Sequence, residues 1–237
     1  MNRILLCLFF IFIATSCTEL QQVVTQLPQV TSGIGNDEIA NGLKAALDQG
    51  IDRQVKKLAL KDGFFKNELV KILLPEELKK VDKTLRDVGL GNLADEGLRI
   101  LNRAAEDAVG EATPIFVNAV KGISFADAKQ ILLGADNAAT QYLQQSTSTQ
   151  LYGKFKPRIE TSFKKVGADK IWNTLITKYN NLPLTGDVNP DLTEYVTQEA
   201  LEGVYTMIAV EEREIREKVS SRTSDLLKRV FALQDRP

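Results

Sequence analysis

From Asn36 onward the apolar residues recur every three or four positions and never alternate in twos over a sustained stretch. A chain with that spacing can bury stripes along helices, but it has no half-buried strand to offer a sheet. The expected fold is all-α, an irregular bundle of about eight to ten helices with no sheet. Ile39, Leu43, Leu47, Ile51, Val55 and Leu58 mark a first helix that Asn36 can cap and Lys61-Asp62-Gly63 ends. Phe64 to Leu74 reads as a short apolar piece. Pro75 opens a second helix with Glu76 and Glu77 in its positive first turn, and Gly89 closes it. Asn92 can cap the third. There Ala104, Ala105, Ala108 and Ala112 stand among Leu98, Leu101, Val109 and Phe116, small residues that allow close approach and mark a candidate central helix. Pro114 should bend or break it.

Ser124-Phe-Ala-Asp127 is a capping box for a helix to Leu133, which Gly134 terminates. Further helices are expected over Asp136 to Leu143, Thr147 to Val166 and Ala168 to Tyr179. Asn180 to Pro190 is a loop, and Asp191-Leu-Thr-Glu194 is a second capping box. The last long helix should begin at Thr197 or Gln198 and run to about Val219. Ser220-Ser221 interrupts, and Ser224 to Leu233 forms a terminal helix.

The N-terminus has a separate character. Met1-Asn2-Arg3 is basic, Ile4 to Ile13 is an unbroken apolar run, and Ala14-Thr15-Ser16 are small. The run is far shorter than the roughly 18 residues needed to cross a bilayer, so residues 1–16 read as a secretory signal. With Cys17 directly after the small residues, the segment resembles a bacterial lipoprotein signal, in which the cysteine becomes the acylated N-terminus. Cys7 leaves with the signal, so Cys17 has no disulfide partner, and acylation removes a lone thiol from an oxidising compartment. Thr18 to Gly35, with Pro28, Ser32, Gly33 and Gly35, reads as a tether. The expected organisation is a signal (1–16), a lipidated cysteine with a flexible tether (17–35), and a single helical domain (36–237). Several acyl chains, as lipoproteins carry, anchor firmly to a membrane. Thr18 lacks the aspartate that retains some lipoproteins at the inner membrane, which points to the outer membrane facing the periplasm.

Composition narrows the chemistry. Apolar residues are 43% and charged residues 26%, globular values that exclude wholesale disorder. The 30 basic and 31 acidic residues are interspersed, so no positive field attracts nucleic acid, and no nucleic-acid partner is expected. Histidine is absent, which excludes Ser-His-Asp catalysis, His-ligated zinc and carboxylate–histidine di-iron sites. With Cys17 acylated no thiol remains for catalysis or iron–sulfur ligation. No cofactor is expected.

Three local patterns fail on their context. Gly89-Leu-Gly91-Asn-Leu-Ala94 fits a dinucleotide-binding turn, but a helix and not a strand precedes it. Ser162-Phe-Lys-Lys165 fits Ser-x-x-Lys, but the partner motifs of that acylating chemistry are missing. Asp187-x-Asn189-x-Asp191 resembles the start of a calcium loop, yet Leu192 and Gln198 stand where glycine and glutamate are required, and Pro190 stiffens it. It is a weak candidate calcium site, and no other metal site is expected.

Glu212 is the most informative single residue. At about 100° per residue it falls within the stripe of Leu201, Val204, Tyr205, Ile208 and Ile215. Asn102 likewise falls within the stripe of Leu98, Leu101, Ala105 and Val109, with Glu106 at its edge. A carboxylate on an apolar face must be paired, metal-bound or protonated. An ion pair with Arg103, Arg216 or Arg222 is expected, with Asn102 a further possible partner, whereas Glu211 should turn toward solvent. Asn102, Arg103, Glu106, Asp136, Glu212, Arg216 and Arg222 form the candidate buried polar or ligand-binding cluster.

Asp62-Gly-Phe-Phe65, Leu74-Pro-Glu-Glu-Leu-Lys-Lys-Val81, Asn102-Arg-Ala-Ala-Glu106, Gly134-Ala-Asp-Asn-Ala-Ala-Thr-Gln-Tyr142, and Ala209-Val-Glu-Glu-Arg-Glu-Ile-Arg216 with Arg222 resemble the bacterial domain of unknown function 4197. The resemblance spans nearly all of Asn36 to Phe231. It implies an all-helical envelope protein and no particular activity.

The expected function is therefore a lipid-anchored cell-envelope protein, a non-catalytic binding or structural module whose partner is an envelope protein, a glycan or an apolar ligand. One alternative is a carboxylate-based hydrolase acting on a glycan, with Glu106 and Glu212 as acid and base. It requires both carboxylates to face one open cleft. Another is a helical carrier of an apolar ligand, which requires a sizeable apolar cavity.

Overall fold

Ile39, Leu43, Leu47, Ile51, Val55 and Leu58 are all buried along one helix, α1 (Asn36–Ala59), as their spacing predicts. The computed structural model describes residues 34–181 and 192–235. The expected signal, Cys17 and the expected tether up to residue 33 lie outside the described residues, as does the loop carrying Asp187, Asn189 and Asp191. After α1 the chain runs through turns to Leu74. It then forms α2 (Glu76–Asp87), α3 (Gly91–Val109), α4 (Ala112–Gly122), α5 (Phe125–Leu132), α6 (Ala138–Val166), α7 (Ala168–Asn180) and α8 (Thr193–Glu217). A short 3-10 turn (Val219–Ser221) leads to α9 (Asp225–Phe231). No strand occurs among the described residues, and the fold is an all-α multi-helix bundle. None of the described helices is long and apolar enough to cross a membrane.

Several boundaries depart from the sequence expectation for physical reasons. The short apolar piece from Phe64 to Leu74 is turn and irregular backbone, with Phe64, Val70 and Ile72 buried. The third helix starts at Gly91 without a side-chain cap, so Asn92 sits inside its first turn. Gly89, at φ 81, follows the end of α2 as expected, and a helix rather than a strand precedes the two glycines. The break expected at Pro114 falls earlier, at Gly110-Glu111, and leaves Pro114 in the first turn of α4, where a missing N–H breaks no ladder bond.

The two helices expected over Asp136 to Val166 are one helix of 29 residues. Ser146 and Thr147 look like a break, but their hydroxyls bond back to the carbonyls of Tyr142 and Leu143, at 2.8 and 2.5 Å. The Thr147 hydroxyl also lies 2.8 Å from the buried Tyr205 hydroxyl on α8, so a polar face serves the core. α8 begins at Thr193 rather than Thr197; Leu192 precedes it with no side-chain cap, and Asp191 is outside the described residues. The Ser124–Asp127 capping box forms as expected, and Gly167, at φ 70, divides α6 from α7.

From Asn36 onward the chain forms one compact unit. α3 is its central helix: it packs on α1, α2, α6, α7 and α8. Ala104, Ala105 and Ala108 are 0% exposed, so its small face brings neighbouring backbones close, and Ala112, equally buried, opens α4. α8 lies against α6, α1 and α3. Gly203 on α8 is a required gap, because a Cβ there would stand 2.6 Å from the Phe64 ring. At the surface, Tyr152 and Lys156 of α6 both bond one oxygen of Glu194, at 2.6 and 2.8 Å, and clamp the start of α8.

Two predictions follow from this packing. Gly203→Ala should destabilise the domain by about 1–3 kcal/mol in urea denaturation, because the core must shift around Phe64. Gly153→Ala, at an exposed position inside α6 with open space around the added methyl, should instead stabilise by about 0.5–1 kcal/mol. The second concerns acid. Bonds from Lys156 and then Tyr152 and Gln198 hold the Glu194 carboxyl down to about 2, from 4.5. A depressed carboxyl stabilises the fold above its unfolded value and loses that contribution as pH falls through its folded value. The clamp should therefore be lost between pH 4.5 and 2, and Glu194→Gln should flatten the stability profile in that window.

Candidate functional site

The polar residues singled out from sequence separate into two groups, one on α3 and one around the end of α8. On α3, Asn102 and Glu106 are one turn apart and face the irregular segment after α1. Asn102 pairs with Ile72 as a neighbouring strand would: its Oδ1 accepts from Ile72 N–H and its Nδ2 donates to Ile72 C=O, both at 2.8 Å. Glu106, only 2% exposed, accepts from the N–H groups of Phe64 and Phe65 at 3.2 and 3.4 Å. Its other oxygen takes Arg103 Nη1 at 3.1 Å, and Arg103 also pairs with Asp107 at 3.2 Å. These side chains give a buried, non-helical backbone the partners it would otherwise lack.

In the second group, Glu212 is buried and ion-paired, but with Arg216 of its own helix and not with Arg103 or Arg222. Arg216 Nε and Nη2 reach Glu212 Oε1 at 3.0 and 2.8 Å, with the two side chains 5% and 4% exposed. Glu212 also accepts from the N–H groups of Ala139 and Thr140, at 3.0 and 2.8 Å, and from the Thr140 hydroxyl at 2.7 Å. These amides are in the first turn of α6. Arg216 meanwhile donates to the carbonyls of Ile131 and Leu132 at the end of α5, at 2.9 and 3.0 Å. The anion therefore sits at a helix start and the cation at a helix end, the placement both dipoles favour.

Arg222, 2% exposed, closes α8 in the same manner. It donates to the carbonyls of Ile215 and Arg216 at 3.0 and 2.8 Å and pairs with Asp235, whose carboxyl the guanidinium holds below the usual range. Asp136 belongs to neither group; it is exposed on the turn between α5 and α6.

Glu211 corrects the sequence reading. It is buried and not solvent-facing, bonded to Arg53 and, at 2.7 Å, to Gln54 of α1. Its signal was present, because Val204, Ile208, Glu211 and Ile215 follow helical spacing as well as any set containing Glu212 does. α8 is wrapped by three helices, so its buried stripe is wide enough for both glutamates.

Glu106 and Glu212 line different cavities and do not form a catalytic pair. Glu212 borders an apolar cavity walled by Leu43, Leu47, Ile51, Ile208 and Phe231. Its volume is about 20 Å³, room for about one water and for no organic ligand. Ser162 donates to Asp107 at 2.7 Å and is buried, so it is not a nucleophile activated by Lys165. Among the described residues no grouping of three acidic, His or Cys side chains could hold a metal.

Glu106 borders something different: a surface cavity of about 240 Å³ between the Lys61–Phe65 turn and α3. Lys61, Asp62, Phe65, Arg99, Arg103 and Glu106 face it. The Phe65 ring carries Lys71 Nζ at 4.9 Å and the Arg99 guanidinium at 5.3 Å. Lys61, Phe65 and Arg99 were not singled out in sequence as site residues. Charged residues on exposed helix turns carry no periodic mark, and only the fold brings them to one depression.

The class is an all-helical bundle whose buried charges tie helix ends together. A family profile described as "Protein of unknown function (DUF4197)" matches residues 33–232, and the chain belongs to that family. No curated protein matches it, and no solved structure does.

Glu212→Ala strands the Arg216 charge and three donors at the start of α6. It should cost about 3–5 kcal/mol in chemical denaturation, the usual penalty for breaking a buried pair. An unchanged or raised stability would show that Glu212 is not the tie between α5, α6 and α8.

Proposed function

We propose that this protein is a lipid-anchored cell-envelope protein whose helical domain is a non-catalytic binding or structural module. The anchor is an acylated Cys17, at the outer membrane on its periplasmic side, with residues 17–35 as the tether. The observation that carries the non-catalytic reading is saturation. Both oxygens of Glu106, Glu211 and Glu212 are bonded to backbone amides, amide side chains, a hydroxyl or arginine. A general acid or base needs an oxygen free to meet a substrate. The cavity beside Phe65 brings Lys61 and Arg99 to solvent next to an aromatic ring, an arrangement for holding a ligand. The anchor reading rests on the short apolar run, the small residues and Cys17, in a chain with no other thiol once Cys7 is removed.

Feeding cells a labelled fatty acid should mark the wild-type protein, and membranes should retain it. Cys17→Ser should abolish the label and move the protein to the soluble fraction. A wild type that takes no label, with a variant that stays on the membrane, would sink the anchor.

A further inference from the structure

We propose that the cavity between the Lys61–Phe65 turn and α3 is a binding site for a small organic anion, a carboxylate or phosphate carried on a planar apolar body. The proposal rests on the reading of the domain as a binding module and names what the site takes. It starts from a charge account. Three acids face the cavity, and each is already neutralised. Asp62 pairs with Lys66 at 2.8 Å, Glu96 with Arg99 at 2.9 Å, and Glu106 with Arg103 and two backbone amides. The lining holds three cations against these three acids, but Asp62 takes its partner, Lys66, from outside the lining, which leaves one cation over. Lys61 faces the cavity and pairs with no acid among the described residues, and Lys71 stands over the Phe65 ring.

The Asp62 carboxyl is held below the usual carboxylate range, chiefly by its bond to Lys66 and in part by the charges of Lys61 and Arg99. Apolar surface at the same spot gives the ligand its second feature. The Phe65 ring and Ile100 line the cavity, and the Arg99 guanidinium lies over that ring. A planar group can stack on such a guanidinium while its anionic end meets Lys61. The volume, about 240 Å³, falls just below the ~300–1,000 Å³ usual for small-molecule sites. Glu106 holds the backbone amides of Phe64 and Phe65, so this wall of the cavity is set before any ligand arrives.

The test is calorimetric titration of the full chain in detergent micelles with four probes of similar size: benzoate, phenyl phosphate, benzamide and benzamidine. Benzoate or phenyl phosphate should bind saturably and more tightly than the neutral or cationic probe, and affinity should fall with added salt. The better of the two anions identifies the headgroup. Lys61→Ala combined with Arg99→Ala should weaken anion binding by roughly tenfold or more, since two charges near a surface are removed. Both side chains are exposed, and an unchanged melting temperature checks that the fold survives. Preference for benzamide or benzamidine would overturn the anion while leaving a binding module in place. Equal anion binding by the double variant would overturn the location. No saturable binding by any probe would overturn the site and remove this support for the binding reading.

Discussion

One buried ion pair joins three helices, and the second half of the bundle depends on it. Glu212 and Arg216 are a single turn apart on α8, yet they end on different neighbours: the carboxylate on the first amides of α6, the guanidinium on the last carbonyls of α5. A buried pair pays heavily in lost hydration and breaks even only when its remaining hydrogen-bonding capacity is used. Here it is used. Five donors meet the two Glu212 oxygens, and Arg216 adds Gln234 Oε1 at 2.8 Å. The turn from Leu133 to Asn137 is thereby fixed at both ends. Gly134 makes it tight, since a Cβ there would meet the carbonyl of Gln130 at 2.8 Å.

The first half of the bundle solves a related problem with different chemistry. After α1 the chain runs to Leu74 without helix or sheet, and the amides of its buried residues Phe64 and Ile72 need partners. Asn102 supplies a donor and an acceptor to one peptide unit, and Glu106 accepts from two successive amides. Their four-residue spacing on α3 puts both on the face turned toward that segment. With Phe64 held in this way, Gly203 has to be the residue opposite its ring. A constraint that begins as hydrogen bonding on α3 ends as a packing constraint on α8.

How much of this was legible in sequence depends on the range of the interaction. Spacing alone gave α1, because Ile39 to Leu58 are contiguous in sequence and all face one core. The Ser124 capping box was legible because its two partners are three residues apart. Glu212 and Asn102 were visible as polar residues on apolar stripes, which is a local anomaly. Their partners were not visible. Ala139 and Thr140 lie more than 70 positions from Glu212, and Ile72 lies 30 from Asn102. The continuity of α6 was hidden for a similar reason. Thr147 looks like a break until Tyr205 is placed opposite it, and only the fold does that. Glu211 was misjudged because a stripe drawn along one line cannot show that three helices enclose α8.

A bundle of several helices has many helix ends, and each end leaves four amides or four carbonyls without partners inside its own helix. Long coiled coils place their few ends in water. In this chain the ends at Leu132 and Ala138 meet side chains of α8, and the last buried carbonyls of α8 meet Arg222 just beyond it. That requirement accounts for the charged stripe residues with no appeal to chemistry on a substrate: Glu212, Arg216 and Arg222 are committed to the fold. Function must then be sought among charges that folding leaves uncommitted. Lys61 at the cavity and Lys71 over the Phe65 ring are of that kind, close in sequence to the amides of Phe64 and Ile72 that Glu106 and Asn102 hold.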